Sequence, residues 1–283
     1  MWAGWRCRWG YGNFGTQNSV GTIDGFDTAT GGMAVGADTR INDNIRIGVA
    51  FNYSATGISQ SGTRNGDKTD IDSYGGTLYG SYTGNPWYVD GMFNYTRHQY
   101  KDQRSVAFTG FSDALSANYG ADQFTVRSEA GYPVQVGSRF TATPFLNLTY
   151  SNVGTAAYTE TGGAARMIYA STSSDSFKTG LGGRVSTPVK LDSGATLTPE
   201  LSLAWSHEFM DDTTKTTGTF AAGGPAITTT GIKSSRDAAL FTVLSAWGYL
   251  RTGLTYMNDG NDAPDVKSDY FGHTGRLQVR YDF

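Results

Sequence analysis

Cysteine is all but missing from this 283-residue chain. Cys7 stands alone, so no disulfide can close within the chain and no cysteine cluster can hold zinc. Proline occurs only 7 times, too rarely for a Pro-Gly-rich disordered segment. Three histidines, His98, His207 and His273, are too few and too scattered for a metal site. A charge of one sign is also lacking: the net charge is −3, which gives no hint of a nucleic-acid partner. No stretch approaches the roughly 20 apolar residues of a membrane-spanning helix. The longest mostly apolar run, Ala238 to Leu250, is interrupted by Thr242, Ser245 and Gly248. No secretory leader precedes the first patterned segment, since Met1 is followed at once by Trp2-Ala3-Gly4-Trp5. The chain is therefore expected to be a fragment of a longer precursor.

What is abundant is glycine, 38 residues, and aromatic residues, 13% of the chain. A Gly-rich, aromatic-rich, mildly hydrophobic composition fits a membrane β-barrel, in which only every second residue must face lipid. Strict alternation supports this. Leu277, Val279, Tyr281 and Phe283 alternate with Arg276, Gln278, Arg280 and Asp282. Leu197, Leu201, Leu203, Trp205 and Phe209 alternate with Thr198, Glu200, Ser202, Ser206 and Glu208, and Ile45 to Tyr53 repeats the pattern. A strand sends such sets to opposite faces.

A soluble sandwich also alternates, but connection lengths separate the two. Twelve strands are predicted, near 2–14, 26–40, 44–56, 70–83, 86–100, 119–134, 139–152, 173–189, 195–210, 234–246, 249–258 and 273–283. Short turns at 42–44, 83–86, 136–138 and 191–194 alternate with long connections near 15–25, 57–69, 101–118, 153–172, 211–233 and 259–272. Short periplasmic turns and long external loops are the outer-membrane pattern, whereas a Greek-key sandwich has no reason to alternate so regularly. The fold class is an all-β, antiparallel transmembrane barrel forming a single domain over 1–283. Alternation is weakest over 234–258, where the turn between two strands must fall near Ala246-Trp247-Gly248, and a barrel of ten strands, with this hairpin misread, is the alternative count. Tyr11, Phe14, Tyr82, Trp87, Tyr100, Trp205 and Phe209, at strand ends, suit two interfacial aromatic girdles.

The chain resembles the autotransporter β-domain, the translocator of type V secretion. The resemblance rests on Trp5-Arg6-Cys7-Arg8-Trp9-Gly10-Tyr11-Gly12, on Gly25 through Asp38 followed by Ile47 through Ser54, on Pro144 through Tyr150 with Pro199 through Phe209, and on the terminal Leu277 through Phe283. It implies a twelve-stranded barrel in the outer membrane of a Gram-negative bacterium. It also implies a helix threading the pore ahead of the first strand and an N-terminal passenger, and this chain has neither. The implied partners are outer-membrane lipid and lipopolysaccharide, the barrel assembly machinery and the passenger, with no nucleic acid. Leu277, Val279, Tyr281 and Phe283 then read both as a closing strand and as the assembly signal, an apolar edge read by strand addition.

In such a barrel the charged rows line a wet lumen: Arg6, Arg8, Asp38, Arg40, Arg46, Asp90, Arg127, Glu129, Lys178, Arg184, Glu200, Glu208, Arg251, Arg276, Arg280 and Asp282. Facing lipid, Arg or Lys would cost about 2–4 kcal/mol each at midplane. Cys7 is expected to face lipid with Trp5 and Trp9, and the histidines to be interfacial. His207 beside Glu208 makes no catalytic pair, because strand neighbours point apart. No cofactor is expected: Gly36-Ala37-Asp38 is not a nucleotide loop, as no helix follows it. The expectation is an exporter without an active site. The competing readings are a stand-alone solute channel and a barrel-surface hydrolase using rim acids such as Asp211 and Asp212.

Overall fold

The computed structural model describes residues 4–19, 23–192, 196–210, 213–231, 235–247, 250–259 and 270–282. Among them twelve long strands carry the architecture: β1 (Gly4–Gln17), β2 (Phe26–Arg40), β3 (Ile45–Gln60), β4 (Lys68–Thr83), β5 (Tyr88–Phe108), β6 (Phe111–Gly131), β7 (Phe140–Thr155), β8 (Thr172–Ser186), β9 (Thr196–Glu208), β10 (Asp237–Trp247), β11 (Leu250–Asp259) and β12 (Tyr270–Asp282). Each pairs antiparallel with the next, and β12 pairs with β1, so the pairing closes on itself. Closure satisfies the ladder groups of every strand, the condition for crossing hydrocarbon.

The register fixes the size of the ring. Opposed residues run from Arg40 on β2 through Arg46, Ser81, Asp90, Glu129, Asn147, Gly180, Ser206, Ala238, Asp259 and Tyr270 to Gln17. Gln17 in turn faces Phe26, again on β2, so one circuit shifts the row from residue 40 to residue 26, a stagger of 14. Twelve strands with that stagger tilt by about 40° around a backbone cylinder about 24 Å wide. Side chains narrow the interior to roughly 10 Å, the width of one helix.

Alternation sorts the wall into two surfaces. Met33, Val35, Val49, Phe51, Leu78, Phe93, Leu146, Leu181, Leu201, Leu203 and Val243 are exposed on the outside. Ala34, Asp38, Ser54, Ser73, Thr96, Thr143 and Phe145, on the intervening rows, are buried. Each leucine-sized outer side chain moved from water into hydrocarbon contributes about 1.5–3 kcal/mol. At the end with short connections, local side-chain bonds make the turns. Asn42 Oδ1 accepts the backbone N–H of Asn44 (2.9 Å) and Ile45 (2.8 Å), and Asn44 Nδ2 donates to the Thr83 carbonyl of the next turn (2.6 Å).

The opposite end departs from the sequence reading. Residues 101–118, expected as a long loop, continue β5 and β6 to 21 residues each, joined at Thr109-Gly110, where Gly110 takes φ +84°. On β5 the extension from Lys101 to Ser105 is polar on both faces, and the inward row of β6 that starts at Leu115 and Ala117 is short and made of mostly small residues, so no long apolar row betrays the strand. Connections 153–172 and 211–233 also contain strands: Tyr158–Thr159, Met167–Tyr169, Lys215–Phe220 and Ile227–Thr230 pair into a second sheet, while Thr161–Gly162 adds to β6. In the stretch of weak alternation β10 and β11 pair directly, with Trp247 opposite Leu250.

Candidate functional site: the lumen and its rims

Glycine shapes the lumen by making room for flat aromatic rings. Tyr11 lies over Gly32, Tyr79 over Gly48, Tyr88 over Gly131 and Phe145 over Gly182, each ring on its directly opposed residue. A Cβ on these glycines would lie only 2.4 Å or 2.5 Å from a ring carbon. Rings pressed against the wall leave the interior open.

Charges occupy what remains. Glu129 accepts from the Tyr88 hydroxyl (2.9 Å) and from Arg184, and Arg127 Nη2 stands 3.6 Å away. The Arg184 guanidinium also covers the Phe145 ring, 4.5 Å from its centre. Asp38 accepts from Tyr79 (3.1 Å) and faces Arg46 at 3.6 Å. Glu208, buried, accepts the Phe177 N–H (2.8 Å), the Met210 N–H (3.0 Å) and the Ser176 hydroxyl, with Lys178 at 4.0 Å. Trp9, Asp38, Arg46, Tyr79, Asp90, Met92, Arg127 and Glu129 line a cavity of about 610 Å³ near the short-turn end. Arg40 lies opposite Arg46, and Glu200 opposite Ser186. Arg251, Arg276, Arg280 and Asp282 pair with Gln278, Tyr11, Cys7 and Trp5, and their side chains lie outside the described ones.

The first strand overturns part of the sequence reading. Arg6 pairs with Ala37 and Tyr281, and Arg8 with Val35 and Val279, and directly opposed residues share a face. The register thus sets positions 6 and 8 opposite Ala37 and Val35, and the side chains of Arg6 and Arg8 lie outside the described ones. Trp9, placed with lipid by the sequence reading, opposes Ala34 and lines the lumen cavity, and Cys7 and Trp5 share its row. A one-residue slip in a strand where both sets are bulky inverts every assignment. Tyr11 and Tyr100 likewise leave the proposed girdle: Tyr11 covers Gly32, and Tyr100 stacks on Tyr119 at 4.8 Å. His98 is not interfacial either. It bridges Ser73 Oγ (2.8 Å) and Gln123 Oε1 (2.9 Å) in the lumen's polar ladder. Leu277 is exposed on the outer row, while Phe283, Asp211 and Asp212 lie outside the described residues.

The outer surface carries a repeat that the sequence reading missed. Tyr53 donates to Asp72 (2.9 Å), Tyr95 to Asp122 (2.6 Å), Tyr150 to Asp175 (2.6 Å) and Trp205 to Asp237 (2.8 Å). The four donors sit on β3, β5, β7 and β9, and each aspartate stands two residues beyond the donor's cross-strand partner. One polar tip on each of these four external hairpins, at one relative height, marks the outer membrane–water boundary, where amphipathic rings settle. The signal was an aspartate on a descending strand, two residues before the position that faces an aromatic, visible only once register is known.

The match to known proteins agrees with this geometry. The family model "Autotransporter beta-domain" matches residues 9–274. Outer membrane protein A of Rickettsia conorii is 25% identical over 280 residues, covering 95% of this chain but 13% of that protein. An extracellular serine protease of Serratia marcescens is 27% identical over 231 residues, 81% of this chain and 21% of its own length. The chain thus spans only a small part of these relatives. In fold it resembles the translocator domain of autotransporter NalP from Neisseria meningitidis, with a TM-score of 0.72 at 16% identity, covering 99% of this chain and 88% of that one. The β domain of the Bordetella autotransporter BrkA gives a TM-score of 0.63 at 15% identity, covering 97% and 98%.

Proposed function

The chain belongs to the autotransporter β-domain family, and on that premise we propose that residues 1–283 form one barrel domain whose lumen carries an upstream passenger across the outer membrane of a Gram-negative bacterium. The observation that carries this reading is the lumen itself. It is one helix wide, and its charged groups of both signs, Asp38 with Arg46 and Glu129 with Arg127 and Arg184, are paired along its walls. Such a wall hydrates a moving chain and gives an apolar segment nothing to adhere to. No step needs a cofactor or an active site, because folding of the passenger outside makes the movement directional. The terminal strand, with Leu277, Val279, Tyr281 and Phe283, serves as the signal for the assembly machinery by adding its edge to a partner sheet. Lipopolysaccharide meets the outer wall at the level of the tyrosine–aspartate pairs.

An epitope-bearing passenger joined ahead of Met1, with its own secretory leader, tests the reading. External protease should remove the epitope from intact cells that carry heat-modifiable barrel. Folded barrel with the epitope shielded from protease would overturn it. The lipopolysaccharide and assembly roles have separate readouts: retention of labelled lipopolysaccharide on the purified barrel, and loss of assembled barrel on Phe283→Ser.

A further inference from the structure

The external connections are joined into one body rather than left as separate loops. Asp24, between β1 and β2, accepts the backbone N–H of Thr63 (3.1 Å) and Arg64 (3.1 Å) from the β3–β4 connection, and also the Thr63 hydroxyl. Asp67 of that connection is buried and accepts from Arg64 Nε (3.1 Å) and from the Ser105 N–H on β5 (2.8 Å). Arg104, next along β5, binds Glu160 of the β7–β8 connection through two nitrogens, Nε to Oε1 (2.8 Å) and Nη2 to Oε2 (2.6 Å). Glu160 is 6% exposed and also accepts the Met167 N–H (2.9 Å). Met167–Tyr169 pairs with Lys215–Phe220 of the β9–β10 connection, so five of the external connections are linked in series among the described residues.

The direction in which this body leans is set by parity. Tyr100 and Arg104 share the row of Asp90 on β5, and Leu115, Ala117, Tyr119 and Ala121 share the row of Glu129 on β6, both of which face the lumen. Tyr119 stacks on Tyr158 at 3.8 Å, and Tyr158 on Tyr169 at 4.7 Å. Leu115, Ala117 and Ala121 beneath them are at most 3% exposed. The second sheet therefore packs on the inward side of the β5–β6 extension, above the lumen.

We propose that this four-stranded sheet is a lid over the external mouth of the barrel, and that the pair of half-buried Arg104 with buried Glu160 is its latch. The lid leaves the 610 Å³ cavity as a vestibule at the short-turn end and separates it from the outside. The inference rests on the barrel reading but not on the passenger. Glu160, buried, is disfavoured without its cation, and Arg104 without Glu160 loses both bonds to the β7–β8 connection, so removing either should release the lid without touching the wall.

Single-channel recording of the complete chain in planar bilayers tests it, with Arg104→Ala, Glu160→Gln and Tyr158→Ala as variants. The unmodified barrel should be mostly closed, and each variant should raise the open fraction at least about tenfold, the population shift a lost buried pair can produce. A second readout is thiol labelling of Thr77→Cys, in a Cys7→Ser background, in liposomes with the long-hairpin end outward. Labelling should be slow with the latch intact and fast in the variants. Equal conductance and equal labelling in heat-modifiable, folded variants would overturn the lid, as would an unmodified barrel that is already fully open. Failure of the epitope to reach the surface would instead strike the translocator reading and leave the lid standing.

Discussion

Leu203, Val49 and Phe51 on the wall are 61%, 59% and 57% exposed, whereas Leu115, Ala117 and Ala121 under the external sheet are each at most 3% exposed. The wall turns its apolar rows outward and closes its polar rows around water, and lipid supplies the missing cover. Beneath the external sheet the rule of soluble proteins holds locally: Leu115, Ala117 and Ala121 are buried, although Ile168, Phe220 and Ile227 of the sheet itself stay exposed. One chain thus folds against two solvents, and the boundary runs along the tyrosine–aspartate pairs of β3, β5 and β7 and the Trp205–Asp237 pair of β9. Substitutions that are harmless on one side of that boundary should be severe on the other.

The largest effect belongs to the lipid-facing wall. Phe51→Arg, opposed by Val35 and Gly76, puts a guanidinium in hydrocarbon and should cost about 2–4 kcal/mol. The checks are the amount of heat-modifiable barrel in membranes and its urea midpoint in lipid vesicles. An unchanged midpoint would mean that this row does not meet lipid. Leu115→Ala comes next. It should cost roughly 2–3 kcal/mol, but only locally, because the external sheet has its own small core. Hydrogen exchange should accelerate at Met167–Tyr169 and leave β2 and β3 protected. Acceleration spread evenly over the wall would show that sheet and barrel unfold as one unit.

A smaller effect probes the lumen. Gly48→Val fills the space where the Tyr79 ring lies, and a Cβ there would stand 2.4 Å from Tyr79 Cζ. The ring must lift, and its 3.1 Å hydrogen bond to Asp38 is lost. Overpacking of this kind costs about 1–3 kcal/mol, here at the lower end because the ring can move into the open lumen. Near-ultraviolet circular dichroism should report the tyrosine, and conductance in a released-lid background should fall as the ring intrudes. No change in either would show that Tyr79 does not depend on the glycine.

How much of this was legible in the sequence depends on which solvent a residue meets. Where lipid covers one face, as at Ile47, Val49 and Phe51, the period of two is written plainly. The short turns with Asn42 or Gly137 bracket it. Residues 101–118 were unreadable as strand because Lys101 to Ser105 is polar on both faces, and Leu115 and Ala117 owe their burial to the distant external sheet rather than to lipid. The latch was unreadable for another reason: Arg104 and Glu160 lie 56 positions apart, and nothing local links them. In β1 the failure was of parity. Trp9 and Tyr11, expected at lipid and in the girdle, lie on the lumen side, where Gly32 across the ladder gives the Tyr11 ring its space.

The smallest expected effect lies in the water-facing part, at Asp24. Hydrogen bonds from Thr63, through hydroxyl and backbone N–H, hold its carboxyl below the usual carboxylate range, and Arg64 adds a backbone bond and a nearby charge. A carboxylate whose folded value is depressed contributes stability above its unfolded value and loses it as pH falls through the folded one. The clasp between the β1–β2 and β3–β4 connections should therefore persist through mild acid and open only below the ordinary aspartate range. Because Asp24 sits at the surface and is only partly covered, the change should be confined to that corner of it. Amide shifts of Thr63 and Arg64 followed by NMR during acid titration would show it, with a midpoint below that of an unperturbed aspartate. Asp24→Asn should abolish that titration while leaving the wall intact. A normal midpoint at Asp24, or a transition that also reaches β2 and β3, would mean that the clasp is not held by these hydrogen bonds.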